Sequence, residues 1–172
     1  MIRYATADDI PKLIKLKGTV GRDTYYDFGT PQEFDAWMDS VCSEAYFEDL
    51  LDKGATILVA EYDTAFLGMA SVTFNCNSAL FGNLYVGLQN RGIGSLLTNH
   101  RLALVENHTA LMSPNTEFEV RASCFYQNYV AYKHLVKHGF IPYSWAFNEN
   151  YTNTPMVWMK HTIVTSDSNL LL

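Results

Sequence analysis

Between Leu84 and Arg101 the sequence reads LYVGLQNRGIGSLLTNHR, an apolar extended run that passes through a polar, glycine-spaced turn into a helical pattern. Gly92 and Gly94 stand at the head of the apolar series Ile93, Leu96, Leu97, Leu104 and Val105. A helix start carries backbone N–H groups with no intrahelical partner and a partial positive charge from the aligned peptide dipoles. Glycine lets such a backbone approach a ligand closely. Ser95 adds a hydroxyl, and Gln89, Asn90 and Arg91 add side-chain donors or charge. This is the chemistry of a phosphate cradle.

Three phosphate loops compete for that stretch. The GxxxxGK[ST] loop fails because no lysine follows Gly94. The GxGxxG dinucleotide fingerprint has its first two glycines, but Leu97 holds the third place and no early strand-helix-strand unit surrounds it. The Q/R-x-x-G-x-G/A loop is matched at each fixed place by Gln89, Gly92 and Gly94. Elsewhere, His134 and His138 have the i, i+4 spacing of a zinc pair, but no third ligand is placed and a solvated helix face is expected. Cys42, Cys76 and Cys124 show no CxxC spacing and read as buried thiols.

Strand and helix patterns position these residues. IRYAT opens as a strand, Thr6 and Asp9 mark a helix start, and Ile10, Leu13, Ile14 and Lys17 carry that helix to a stop at Gly18. TVGRDTYYDFG reads as a loop. Thr30-Pro31-Gln32-Glu33 is a capping box with proline at the first helical position, and the helical spacing that follows reaches Lys53-Gly54, with a kink near Ser43-Glu44. ATILVAEY and FLGMASVTF form a hairpin across DTA. A strand through NLYV, a helix from about Ile93 to Asn107, the strand EFEVRASCF, the helix NYVAYKHLVKH and two closing strands, the last MVWMKHTIV, complete the order. A single domain over residues 1–165 with a tail at 166–172 accounts for the chain, as a mixed sheet with helices on its faces.

With LYV upstream of the loop, the sequence resembles the GCN5-related N-acetyltransferase (GNAT) family. IRYATADDIPKLIKL is similar to that family's opening strand and helix, TILVAEYDTAFLGMASV to its second and third strands, NYVAYKHLVKHGF to its late helix and MVWMKH to its last strand. The resemblance implies an α/β (α+β) fold: a mixed, mostly antiparallel sheet of six to seven strands, helices on both faces, and a splay between strands 4 and 5. It implies acetyl-coenzyme A as co-substrate and no metal. The pyrophosphate would lie on Gln89, Asn90, Arg91, Gly92, Ile93, Gly94 and Ser95. The pantetheine arm would pair with the main chain near Leu84, Tyr85 and Val86 as an added strand does, with Asn128 hydrogen-bonding it.

The implied reaction is acetyl transfer from sulfur to a primary amine of a small molecule or protein. Two departures matter. Counting four places on from Ala131, the family's tyrosine position holds Leu135, so Tyr132 is the first substitute as proton donor, ahead of Tyr126, Tyr129 and His134. The family's acidic residue before LYV is replaced by Asn83, which can only hold a relaying water, and Glu119 is the nearest acidic candidate. These departures also motivate an alternative, a degenerate member that binds acyl-coenzyme A as a sensing or interaction module. A nucleotide-binding oxidoreductase is a third reading.

Composition sets the outer limits. At 172 residues, 48% hydrophobic and 14% aromatic, the chain is globular. The net charge of −6 argues against nucleic acid and is compatible with a cationic acceptor. No apolar run is long enough to span a membrane, so a cytoplasmic location is expected. Oligomeric state stays open, a homodimer included.

Overall fold

The computed structural model describes residues 1–148, 151 and 154–165, and the expected tail at 166–172 lies outside them. Seven strands form one sheet: β1 (Ile2–Tyr4), β2 (Thr56–Tyr62), β3 (Ala65–Asn75), β4 (Ser78–Val86), β5 (Glu117–Phe125), β6 (Ile141–Phe147) and β7 (Pro155–Val164). Their spatial order is β1-β2-β3-β4-β5-β7-β6. Every neighbouring pair is antiparallel except β4 and β5, which run parallel. The helices are α1 (Ile10–Tyr25), α2 (Pro31–Val41), α3 (Glu44–Asp52), α4 (Ile93–Thr109) and α5 (Tyr129–Lys137). No helix among the described residues is long and apolar enough to cross a membrane.

Strand alternation feeds both faces of the sheet. On one face, Ile10, Leu13 and Leu16 of α1 and Phe47 of α3 meet Ile57, Val59, Met69 and Tyr85. On the other, Ile93 and Leu97 of α4 cover Leu58, Ala60 and Ala70. Val105 and Leu135 then join Val72, Phe81, Val120 and Met159 beneath α4 and α5. The β2–β3 hairpin turns on Asp63 and Thr64, both at positive φ (46° and 64°), as a tight two-residue hairpin turn requires.

The expected kink is a true break. Thr30 caps α2, accepting from the Glu33 N–H while Glu33 accepts from the Thr30 N–H, and Ser43 caps α3 by accepting from the Tyr46 N–H. The expected stop at Gly18 is not observed: α1 runs to Tyr25 and a short 3-10 turn, Tyr26–Phe28, follows. Glycine is a poor helix former, but packing overrides it here. A Cβ on Gly21 would lie 3.1 Å from both the sulfur and the methyl of Met38, so the glycine lets α2 pack close to α1. Most of the stretch read as a loop is therefore helical, and Tyr25 packs on the core, edge-on to Phe28, Trp37, Tyr85 and Phe125.

One irregularity positions everything that follows. Met69 pairs with Tyr85 but Ser71 pairs with Gly82, so β4 carries one residue more than β3 at this point. Asn83, at φ 47°, sits in that bulge. The extra residue reverses the alternation. Phe81 faces α4, whereas Tyr85, four residues on, faces α1. The parallel pairing of β4 with β5 covers only Ser78–Phe81 against Glu119–Ala122. Beyond the bulge the two strands part.

Candidate active site

At the head of α4 the chain is arranged as a cradle. Gly92 is the N-cap, at φ 75°, a conformation in which any side chain is strained. The first helical bond runs from the Leu96 N–H to the Gly92 carbonyl at 2.9 Å, so the amides of Ile93, Gly94 and Ser95 precede it. They open on a cavity of about 590 Å³ lined by Gln89, Asn90, Gly92, Gly94 and Ser95. Leu84, Tyr85 and Val86 of the parted β4, Asn128 and Ala131, Lys137, and one carboxylate, Asp23, also line it. A helix of 17 residues aimed into such a space favours an anion.

A second cavity, of about 200 Å³, fills the gap between the parted strands. Gly82, Asn83 and Leu84 form one wall and Ala122, Ser123, Cys124 and Phe125 the other. Tyr25, Leu84, Tyr85, Ala131 and His134 line both cavities. Tyr25, Trp37, Phe125 and Met156 give the second one an aromatic and thioether side.

Two buried cations flank the β4 bulge, one on each face of the sheet. On the α1 side, Lys17, 2% exposed, donates to Asn83 Oδ1 at 2.8 Å and lies 3.9 Å from the Tyr46 ring centroid. Burial lowers its pKa to about 7. On the α4 side, Arg101, 1% exposed, donates from Nη1 to the carbonyls of Ser71 and Gly82 and from Nη2 to Thr98 Oγ1, and its plane lies over Phe81. The guanidinium thus donates to a carbonyl on each of the two strands beside the bulge. Thr98, accepting from Arg101, gives its own proton to His134 Nε2 at 2.9 Å, the arrangement that satisfies all three groups. Burial first, then the neighbouring His138 and the cations Arg101 and Lys137, hold His134 down to about 4, so it is neutral at pH 7.

Solved structures share this architecture. The PaiA N-acetyltransferase of Thermoplasma acidophilum, in complex with coenzyme A, superposes with a TM-score of 0.75 at 17% identity, covering 94% of this chain and 98% of that one. The GCN5-related N-acetyltransferase of Rhodopseudomonas palustris gives 0.75 at 17%, covering 95% of each chain. The ribosomal-protein-S18-alanine N-acetyltransferase of Escherichia coli gives 0.72 at 15%, covering 100% of this chain and 99% of that one. The fold is that of the GCN5-related N-acetyltransferases. No family model matches the sequence, and no curated protein matches it.

Within this N-acetyltransferase fold, most of the expected binding residues converge. Leu84, Tyr85, Val86, Gln89, Asn90, Gly92, Gly94, Ser95 and Asn128 line the larger cavity. Arg91 is exposed and absent from that lining, and the Ile93 side chain is buried core, leaving only its amide at the cradle. Asn128 caps α5, its Oδ1 accepting from the Ala131 N–H at 3.0 Å, while its Nδ2 donates to the Tyr25 hydroxyl at 3.2 Å.

The proton-transfer candidates divide. Asn83 lines the inner cavity, donating to Ser71 Oγ and to the Tyr46 hydroxyl. Tyr132 lines neither cavity: it stands about 100° around α5 from Ala131 and packs on the core beneath α4 and α5. Glu119 lies on the zipped part of β5, paired with Arg121 and Lys160, whose hydrogen bonds hold its carboxyl below the usual range. His134, expected on a solvated face, is half-buried against Thr98, and Cys76, expected buried, is exposed.

Sequence reasoning missed Lys17, Arg101 and Tyr25. Lys17 was signalled by its place in the apolar series of α1, since a lysine on a core stripe is buried by the helix itself. Arg101 carried the same signal, four residues from Leu97 and from Val105 on the apolar stripe of α4, though its partners at the β4 bulge are set by a distant strand. Tyr25 fell in the stretch read as loop.

Proposed function

We propose that the protein is an N-acetyltransferase that moves the acetyl group of acetyl-coenzyme A to a primary amine. The observation that carries this reading is the pair of joined cavities: a helix N-terminus open to one, the parted β4–β5 gap forming the other. The cradle residues fit a diphosphate, and the unpaired edge of β4 at Leu84–Val86 fits an extended amide-bearing arm. Bound there, the co-substrate supplies an activated acyl thioester.

The amine nitrogen, once free of its extra proton, attacks the thioester carbonyl carbon. A C–N bond forms, the C–S bond breaks with its electron pair going to sulfur, and the nitrogen's second proton is lost to solvent. The sulfur ends as a thiol. Leu135 faces the cavity where a phenol would be expected, so no donor reaches it from that position on α5. Of the two phenols that line both cavities, Tyr25 and Tyr85, Tyr25 is the one whose oxygen accepts from Asn128. With Asn128 donating to its oxygen, its own proton is free to give, and burial keeps it protonated by raising its pKa to about 12. In this reading Asn83, hydrogen-bonded to Lys17, Tyr46 and Ser71, holds a relaying water rather than acting as a base.

The acceptor is a small-molecule or protein amine. The acidic balance of the sequence puts no carboxylate on the inner cavity wall among the described residues. Its aromatic side supports an amine carried on an apolar body, or an ammonium held over the rings. Mixing the protein with acetyl-coenzyme A and a panel of aromatic, aliphatic and polycationic amines, with free thiol as readout, tests the assignment. Amine-dependent thiol release is expected. Tight coenzyme A binding with no turnover across the panel would leave an acyl-coenzyme A-binding module instead.

A further inference from the structure

Arg101 is a buried positive charge with no carboxylate hydrogen-bonded to it among the described residues. Three of its five N–H groups are used, on Ser71 O, Gly82 O and Thr98 Oγ1, and its Nε is buried without a partner. Burying an unpaired cation is costly, and native chains seldom retain one without a use for it. The bulge carbonyls explain why a donor is needed at this place; they do not explain a full charge, since a neutral amide would serve them. Arg101 lines the cavity at the bulge where β4 parts from β5, with Gly82, Asn83, Ala122, Ser123 and Leu135 around it.

We propose that Arg101 stabilises the thiolate of the departing coenzyme A, supplying from α4 the polarity that Leu135 withholds on α5. This rests on the acetyltransferase reading above. As the C–S bond breaks, negative charge collects on sulfur, and a fixed, buried guanidinium on the cavity wall lowers its free energy without reorganisation. The other titratable groups on the wall carry no charge at neutral pH. Burial keeps Tyr25 of α1, Tyr85 of β4 and Cys124 of β5 protonated by raising each pKa, and keeps His134 of α5 neutral. Lys17 lies on the far side of the bulge, turned to Asn83. Burial lowers Arg101 only to about 9, so it stays charged at pH 7.

The test compares free coenzyme A with desulfo-coenzyme A, titrated calorimetrically into the full chain between roughly pH 6.5 and 8.5, below the ordinary thiol pKa of about 8.5 and up to it. If Arg101 depresses the bound thiol's pKa, coenzyme A gains over the desulfo compound as pH rises, by up to tenfold per pKa unit. Arg101→Lys keeps the gain. Arg101→Gln, which retains amide donors for Ser71 and Gly82, loses it. A ratio flat with pH in the unmodified protein overturns the proposal, as does an undiminished rise in Arg101→Gln. The unmodified protein decides the matter even where the glutamine variant fails to fold. Failure of both compounds to bind at any pH overturns the acetyltransferase reading itself, and this proposal with it.

Discussion

At the β1–β2 edge, Arg3 lies between two carboxylates; at the bulge of β4, Lys17 and Arg101 are paired with none among the described residues. Arg3 donates to both oxygens of Asp9 and to Glu61, and Asp9 also accepts from the Thr6 N–H. The Arg3 guanidinium holds the Asp9 carboxyl down to about 2. That clasp is complete: charge meets charge, and the first strand is tied to α1 and to β2. The bulge is incomplete, with two cations supplied by carbonyls, an asparagine, a hydroxyl and ring faces. Compensated charge does structural work here. Uncompensated charge is found where the strands part and a ligand is expected.

The sharpest way to break that comparison is Arg101→Met. It removes the guanidinium's hydrogen bonds to the Ser71 and Gly82 carbonyls and to Thr98, at a cost of about 2–4 kcal/mol in urea denaturation. A loss under about 1 kcal/mol would mean that the bulge finds other partners.

Lys17→Met tests the opposite sign. The folded Lys17 value near 7 lies below the unfolded lysine value of about 10.4. The unfolded chain therefore binds the extra proton between these limits, and stability rises with pH across roughly 7 to 10. The methionine variant is expected to gain about 1–2 kcal/mol at pH 7 and to lose that slope. Denaturation at pH 7 and pH 9 checks both.

The clasp gives the smallest effect. Asp9, depressed in the folded chain, contributes stability above its ordinary range that disappears as pH falls through about 2. Asp9→Asn should flatten that acid limb by less than the Lys17 change. A larger loss would make the clasp, not the bulge, the costly charge site.

How much of this could be read from residue order follows the range of the interactions. Local signals were sufficient for the two capped helices, the hairpin over Asp63-Thr64, the cradle before Ile93 and the strand Glu117–Phe125. Each depends on caps, turns and periodicity within a few residues. The stop expected at Gly18 failed because Gly21 packs on Met38, a contact across helices. The bulge at Asn83 was invisible for a related reason: it exists only as a register shift between β3 and β4. With the extension of α1 went Tyr25, whereas the burial of Arg101 was signalled by its place between Leu97 and Val105 on the stripe of α4. Tyr132 was placed on the right helix, but one residue from Ala131 is about 100° of arc. The largest group of residues lining the larger cavity comes from one local stretch, 84–95, whereas the inner cavity is assembled from distant strands and helices.

If the α4 N-terminus binds the diphosphate of coenzyme A, a Ser95→Glu substitution should expose it. A carboxylate in the first turn of a helix is favourable by about 0.3–1 kcal/mol, so melting should be unchanged or slightly higher. The same charge facing a diphosphate within a few ångströms is repulsive by several kcal/mol at an intermediate dielectric. Calorimetric titration should therefore show coenzyme A affinity falling by at least about a hundredfold, with the fold intact. Equal affinity in the two proteins would contradict the account.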